Sequence, residues 1–200
     1  MAASAAVLGP YCDSQHSSHD ILHYVEPTIL APIETCWWVP PLFAVAGVIL
    51  GVGHPLLDKT LGAGERAPGW PVVVLGIALF VVQYWISGAL EPRLTSTTLM
   101  GLRAHDCVLL AWGVAMWAAL DRTRHGLGLA LLTAVAGPAL EVFLINVLGL
   151  YSYTSPDALG VPFWIPWVYF AGAPANGNLG RQIRAQLLTN EGRDRAQRRS

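Results

Sequence analysis

The chain has 200 residues, of which 54% are hydrophobic and only 12% charged, with a formal net charge of −1 and a mean hydropathy of +0.46. Soluble domains carry about 25% charged residues, and the apolar residues here come in blocks, as in Pro71–Val82, with no polar face at helical spacing. A soluble α-helical bundle is thereby disfavoured, no nucleic-acid partner is expected, and three widely spaced cysteines (Cys12, Cys36, Cys107) make no disulfide framework.

Residues 1–35 read as a polar, flexible N-terminal segment in which Pro27 and Pro32 break any helix. MAASAAVLGP lacks the basic start and long apolar run of a cleavable signal, so the first true span is expected to direct insertion. Cys12, His16, His19 and His23 have spacings that could suit a metal on one helical face, although such residues more often form a disordered, solvated lead-in.

Windows free of Asp, Glu, Lys and Arg cover Thr35–Leu57, Ala67–Leu90, Cys107–Leu120, His125–Leu140 and Ala158–Gly180. A membrane-crossing helix needs about 20 apolar residues. Five spans follow, near 36–54, 69–89, 102–120, 126–149 and 161–178. The predicted fold is an all-α, polytopic transmembrane helix bundle. Pro40 and Pro41 suit the first turn of the first span, and Gly47 and Gly51, four apart, suit close helix approach. HPLLDKTLGAGERAPGW reads as the loop that follows. The second span carries the polar Gln83. The fourth carries Glu141, about 22 Å along the helix at about 1.5 Å per residue. There it reads as a carboxyl bonded to Asn146 or a neighbouring helix, or as a polar contact in a ligand cavity or proton-linked site. Pro166, Pro174 and Gly177 are expected to interrupt the last span.

With five spans and a cytosolic C-terminus, ten of the twelve Lys and Arg fall on the cytosolic side: Lys59, Arg66, Arg122, Arg124 and the arginines at 181, 184, 193, 195, 198 and 199. Arg93 and Arg103 fall opposite. Residues 181–200 thus read as a basic cytosolic tail behind a bundle at 36–180, and the charge knot Asp121, Arg122, Arg124, His125 joins two spans on the cytosolic side. No catalytic or phosphate-binding motif is present in the sequence, so no enzymatic activity, metal or cofactor is expected.

CWWVPP (36–41), HPLLDK (54–59), ALDRTRHGLGL (119–129), YSYTSPD (151–157) and FAGAPANGNLGRQ (170–182) come in the order and spacing of blocks in the insulin-induced gene (INSIG) proteins. Over about residues 36–182 the chain resembles a divergent INSIG homologue. The resemblance implies a non-enzymatic, multi-pass protein of the endoplasmic reticulum membrane. It further implies binding of an oxysterol, or of diacylglycerol as in bacterial relatives, in a cavity lined by the second to fifth spans. The implied partners are sterol-sensing-domain proteins, Scap-like or HMG-CoA reductase-like. Matched to the family's Asp-Arg-Ser-Arg-Ser-Gly hairpin, Asp121 is expected to engage a partner together with Arg122 and Arg124. Phe80 and Trp117 match lipid-site residues, to which Gln83 and Glu141 are added as polar candidates. The family's first span precedes CWWVPP, which makes six spans where this chain reads as five, and a family sterol-site Gln falls on Ala104. Asp121 also reads as a cap for the following helix, and Phe80 and Trp117 as ordinary bundle residues. The competing functional readings are a small transporter or lipid-modifying enzyme using Glu141, and a structural bundle without ligand.

Overall fold

The computed structural model describes residues 1–94 and 96–198; Arg199, counted above with the tail, lies outside the described residues. Six helices are formed among the described residues: α1 (Ala2–Ser18), α2 (Val39–Thr60), α3 (Trp70–Leu94), α4 (Ala104–Leu120), α5 (Arg124–Asn146) and α6 (Ile165–Gln197). Helices α2, α3 and α5 are long and apolar enough to cross a membrane, and α4 is a shorter apolar helix. The protein is an all-α, multi-spanning membrane bundle. Each window read as a span coincides with a helix, although α2 runs six residues past the expected 54 and so carries Asp58 and Lys59 on helix rather than loop.

The N-terminal segment departs from the sequence reading. Ala2–Ser18 is helical and joins the bundle, packed on α2 and α3. Its polar groups find partners only in the folded chain: His16 Nε2 lies 2.7 Å from Ser87 Oγ, and Tyr24 donates to Asp13 at 2.9 Å. Pro10 sits within this helix, whereas Pro27 and Pro32 lie beyond its end. The glycines of α2 explain the docking. A methyl on Gly51 would overlap Met1, one on Gly47 would come 2.5 Å from Ala5, and one on Gly9 would overlap Phe43. Steps of four on both helices, in opposite order, define an antiparallel ridge-in-groove contact that only small residues permit.

Helix α6 is the hub, packing against α2, α3, α4 and α5. It begins as α2 does: Trp38 and Trp164 are the N-caps, each followed by an apolar residue and proline in the first turn. Pro174 and Gly177 do not interrupt it; the helix runs unbroken for 33 residues, about 50 Å. Its run Phe170–Ala175 is almost wholly buried because Gly and Ala let neighbours come close. The expected boundary at residue 181 falls inside this helix, and Arg181 is 1% exposed. It belongs to the bundle, not to a solvated tail.

At the opposite end a small antiparallel ribbon pairs β1 (Leu22–Tyr24) with β4 (Tyr151–Tyr153), with His23 facing Ser152. A second ribbon joins β2 (Thr98–Leu99) to β3 (Leu102–Arg103) ahead of α4. Arg103 ties this end together, donating to Asp106 at 2.9 Å and to both Asp157 oxygens at 2.7 and 2.8 Å. Burial opposes the Arg103 charge, but Asp157 and Asp106 outweigh it and raise its pKa above the ordinary arginine value.

Candidate functional site

Two features stand out, an apolar cavity in the middle of the bundle and an ion cluster at the Asp121 end. The cavity has a volume of about 360 Å³ and is walled by α1, α2, α3, α5 and α6. This corrects the expected wall of second to fifth spans: α1 and α2 contribute, and no described residue of α4 does. Gly137 and Gly172 lend it width, since a methyl on the first would overlap Tyr169 and one on the second would press on Phe80 at 3.2 Å. Val45, Ile49, Leu132 and Leu140 line it yet remain exposed, so its mouth lies between α2 and α5 and faces the surroundings of the bundle. Its few polar groups are Ser4, Cys12, Tyr84, Thr133, Tyr169 and Asn176.

Of the residues read as lipid-binding, Phe80 lines this cavity. Gln83 is fully buried one turn further along α3 and donates to the Trp167 carbonyl at 2.9 Å. Trp117 donates its indole N–H to the Thr123 carbonyl at 3.1 Å, which braces the α4–α5 hairpin. Glu141 is buried and accepts from Tyr153 at 2.9 Å and from Tyr169 at 2.8 Å. The expected partner Asn146 donates instead to the Val142 and Leu159 carbonyls. Through Tyr169, Glu141 acts on the cavity wall at one remove.

Asp121 is not displayed on the surface; it is 1% exposed. Arg181 Nη1 donates to its Oδ1 at 2.9 Å, Arg66 to the same oxygen at 3.2 Å, and the Thr123 hydroxyl to it at 2.8 Å. The same Arg181 donates to both oxygens of Asp58, at 2.6 and 2.9 Å, and His125 donates to Asp58 at 2.6 Å. One guanidinium therefore bridges two carboxylates from α2 and the α4–α5 hairpin, using the planar fork that arginine alone provides. His54 Nε2 lies 3.7 Å from Asp121 Oδ2, and its Nδ1–H donates to the Leu50 carbonyl at 2.9 Å. The hairpin is built to this end. Arg122 takes a left-handed φ of 57°, Thr123 caps α5 through Gly126 N–H at 2.9 Å, and any side chain on Gly126 would overlap the Asp121 carboxylate. The helix cap is thus Thr123, and Arg122 and Arg124 point outward, exposed.

Sequence reasoning did not bring Asp58, His54, His125 and Arg181 together as one site with Asp121, because each lies at a span end where a polar or charged residue reads as an ordinary boundary marker. Cys12, His16, His19 and His23 do not converge. His16 meets Ser87, His19 the Gln15 carbonyl and His23 Thr154. No group of three or more His, Cys, Asp or Glu among the described residues is placed to hold a metal.

A helical membrane bundle with an apolar interior cavity and a buried ionic clasp defines the class. The sequence pattern of the insulin-induced protein (INSIG) family matches residues 7–184, and the chain belongs to that family. It is 32% identical over 161 residues to insulin-induced gene 1 protein of Xenopus tropicalis, covering 80% of this chain and 61% of that one. With the Homo sapiens protein of the same name the identity is again 32% over 161 residues, with 80% and 55% covered. The chain thus spans somewhat over half the length of these relatives. The crystal structure of a mycobacterial Insig homolog from Mycobacterium vanbaalenii superposes with a TM-score of 0.74 at 21% identity, covering 90% of this chain and 92% of that one, which shows a shared fold. The family match begins inside α1, in keeping with that helix being part of the bundle.

Proposed function

We propose that this protein is a lipid-responsive regulator of the endoplasmic reticulum membrane, binding a sterol, oxysterol or diacylglycerol in its central cavity and holding a sterol-sensing-domain partner. The observation that carries this reading is the apolar cavity of about 360 Å³ with its mouth between α2 and α5. Pockets for small ligands run from about 300 to 1,000 Å³ and are mostly apolar with a few polar groups. A mouth lined by exposed Ile49 and Leu132 suits a ligand arriving through the bilayer. Phe80 is the cavity-wall contact; Gln83 and Glu141 position the wall from behind, and Trp117 positions the hairpin.

The partner face is the α4–α5 hairpin. Arg122 and Arg124 are its exposed contacts, and Asp121 sets its shape from within. Cavity and hairpin share helices: Leu50 and Leu179 line the cavity, while Asp58 and Arg181 on the same two helices hold the clasp. A ligand acts on the hairpin to the extent that it prefers one packing of α2 against α6 over another. In this reading all six helices cross the membrane and the C-terminus is cytosolic.

Photo-crosslinking with a clickable oxysterol on the purified chain, competed by unlabelled oxysterol and by diacylglycerol, tests the ligand. Adducts are expected on the cavity walls of α2, α3 and α5 around Phe80, and absent from Trp117. Competition by diacylglycerol alone moves the ligand from sterol to glycerolipid. Labelling that neither compound reduces removes the ligand-binding part of the reading.

A further inference from the structure

Beside the ionic clasp lies a second pocket, of about 240 Å³, between the end of α2, the 61–69 loop and α6. Four cationic side chains line it (Lys59, Arg66, Arg181 and Arg184) against two carboxylates, Asp58 and Glu65. Their engagement differs. Arg181 is spent on Asp58 and Asp121, and Asp58 is saturated in return by Arg181 and His125. Arg66 uses only Nη1, on Asp121. Arg184 gives Nη1 to the Pro55 carbonyl and leaves Nη2 facing Glu65 at 3.6 Å, too long for a hydrogen bond, with the Glu65 side chain 68% exposed. Lys59 makes no hydrogen bond or ion pair among the described residues.

We infer that this pocket binds a phosphate group, as carried by the headgroup of an anionic phospholipid or by a soluble phosphate. Three cations from three segments converge with unused donors, an arrangement that matches the several oxygens of a phosphate better than a single carboxylate. The C-terminal end of α2, with about half a charge, and the exposed Glu65 carboxylate oppose an anion, but the three cations outweigh them. Depth favours the lipid source. The apolar stretch of α2 ends at Leu57, so Lys59 stands at headgroup level, and Pro55 and Leu188 give the pocket an apolar flank along which a glycerol backbone can lie. Basic pockets at helix ends on the membrane surface bind anionic headgroups in this way. Because Arg66 touches both this pocket and Asp121, occupancy bears directly on the hairpin.

The test uses the full chain in mild detergent micelles, with retained lipid read by native mass spectrometry. Phosphatidic acid, phosphatidylcholine and diacylglycerol of identical chains are compared. Phosphatidic acid is expected to be retained over phosphatidylcholine. Lys59→Gln or Arg184→Gln is expected to weaken it about fivefold, and the two together about twenty-five-fold. Diacylglycerol retention and melting temperature report on the central cavity and on folding, and are expected to stay unchanged. Arg93→Gln, at the far end of α3, is the charge control and is expected to have no effect. Displacement of phosphatidic acid by inorganic pyrophosphate would mean that a soluble phosphate suffices; persistence against it would assign the site to the lipid headgroup. Equal retention of phosphatidic acid and phosphatidylcholine, wild-type retention by the double variant, or an equal loss in Arg93→Gln would overturn the inference.

Discussion

Arg181 holds two carboxylates that would otherwise be buried side by side, and the worth of that arrangement is best judged by what its loss leaves behind. Removing one partner of a buried ion pair costs about 3–5 kcal/mol, because the remaining charge has no water to turn to. Arg181→Leu leaves Asp58 with His125 and Asp121 with the half-exposed Arg66, so a loss at the upper end of that range is expected. It would be read as a lower melting temperature in detergent. Arg181→Lys is expected to recover only part of the loss, since an ammonium cannot bond two carboxylates in one plane. Full recovery by lysine would mean that charge alone matters and the fork does not. Glu141 follows the same logic with neutral partners, since its two oxygens satisfy two buried tyrosine hydroxyls that would otherwise be stranded.

Helices in this bundle approach as closely as their glycines allow, and the tightest point is where α2 crosses α6. A methyl on Gly180 would overlap the Gly51 carbonyl, and one on Gly177 would come 2.5 Å from the His54 ring. A backbone carbonyl cannot rotate away as a side chain can. Gly180→Ala is therefore expected to cost at least the about 1–3 kcal/mol of ordinary overpacking. Gly128→Ala, on α5 where a methyl meets nothing within 4 Å, is expected to stabilise by about 0.5–1 kcal/mol through helix propensity. Opposite signs in thermal melts of the two variants check the crossing; a neutral Gly180→Ala would mean that the helices have room to part. This contrast also marks what the sequence could reveal. Helices α2, α3 and α5 were legible because continuous apolar stretches need no partner to be recognised. Helix α1 was not, because Asp13 and His16 read as polar until Tyr24 and Ser87 are brought to them. In the cavity, Phe80 was reachable through the family resemblance, whereas Leu8 and Cys12 were hidden with α1. In the clasp, Asp121 stood out within its charge knot, but nothing in the order of residues pairs it with a tail arginine sixty positions away.

Across the whole molecule, two tied ends set the path of every helix. The clasp brings the end of α2, the α4–α5 hairpin and the middle of α6 to one side through Asp58, Asp121 and Arg181. Arg103 and Asp157 bring the start of α4 and the α5–α6 connection to the other. Helix α4 therefore runs the full distance between the ends, although its 17 residues measure only about 25 Å against a hydrocarbon core of about 30 Å. Arg103 at one end and the exposed Arg122 just past the other sit where local thinning of the bilayer would meet them. If α4 crosses, three passages separate the 95–103 connection from the end of α6. Met100, 97% exposed, and Arg193, exposed on the last turns of α6, then lie on opposite sides of the membrane. Met100→Cys and Arg193→Cys, each in a Cys107→Ser background because Cys12 and Cys36 are already buried, are expected to react with an impermeant maleimide from opposite faces of sealed vesicles. On the proposed topology, Arg193 is expected at the cytosolic face. Labelling of both from one face would mean that α4 dips into the bilayer without crossing, and the hairpin carrying Arg122 and Arg124 would then have to reach the proposed partner from within the membrane.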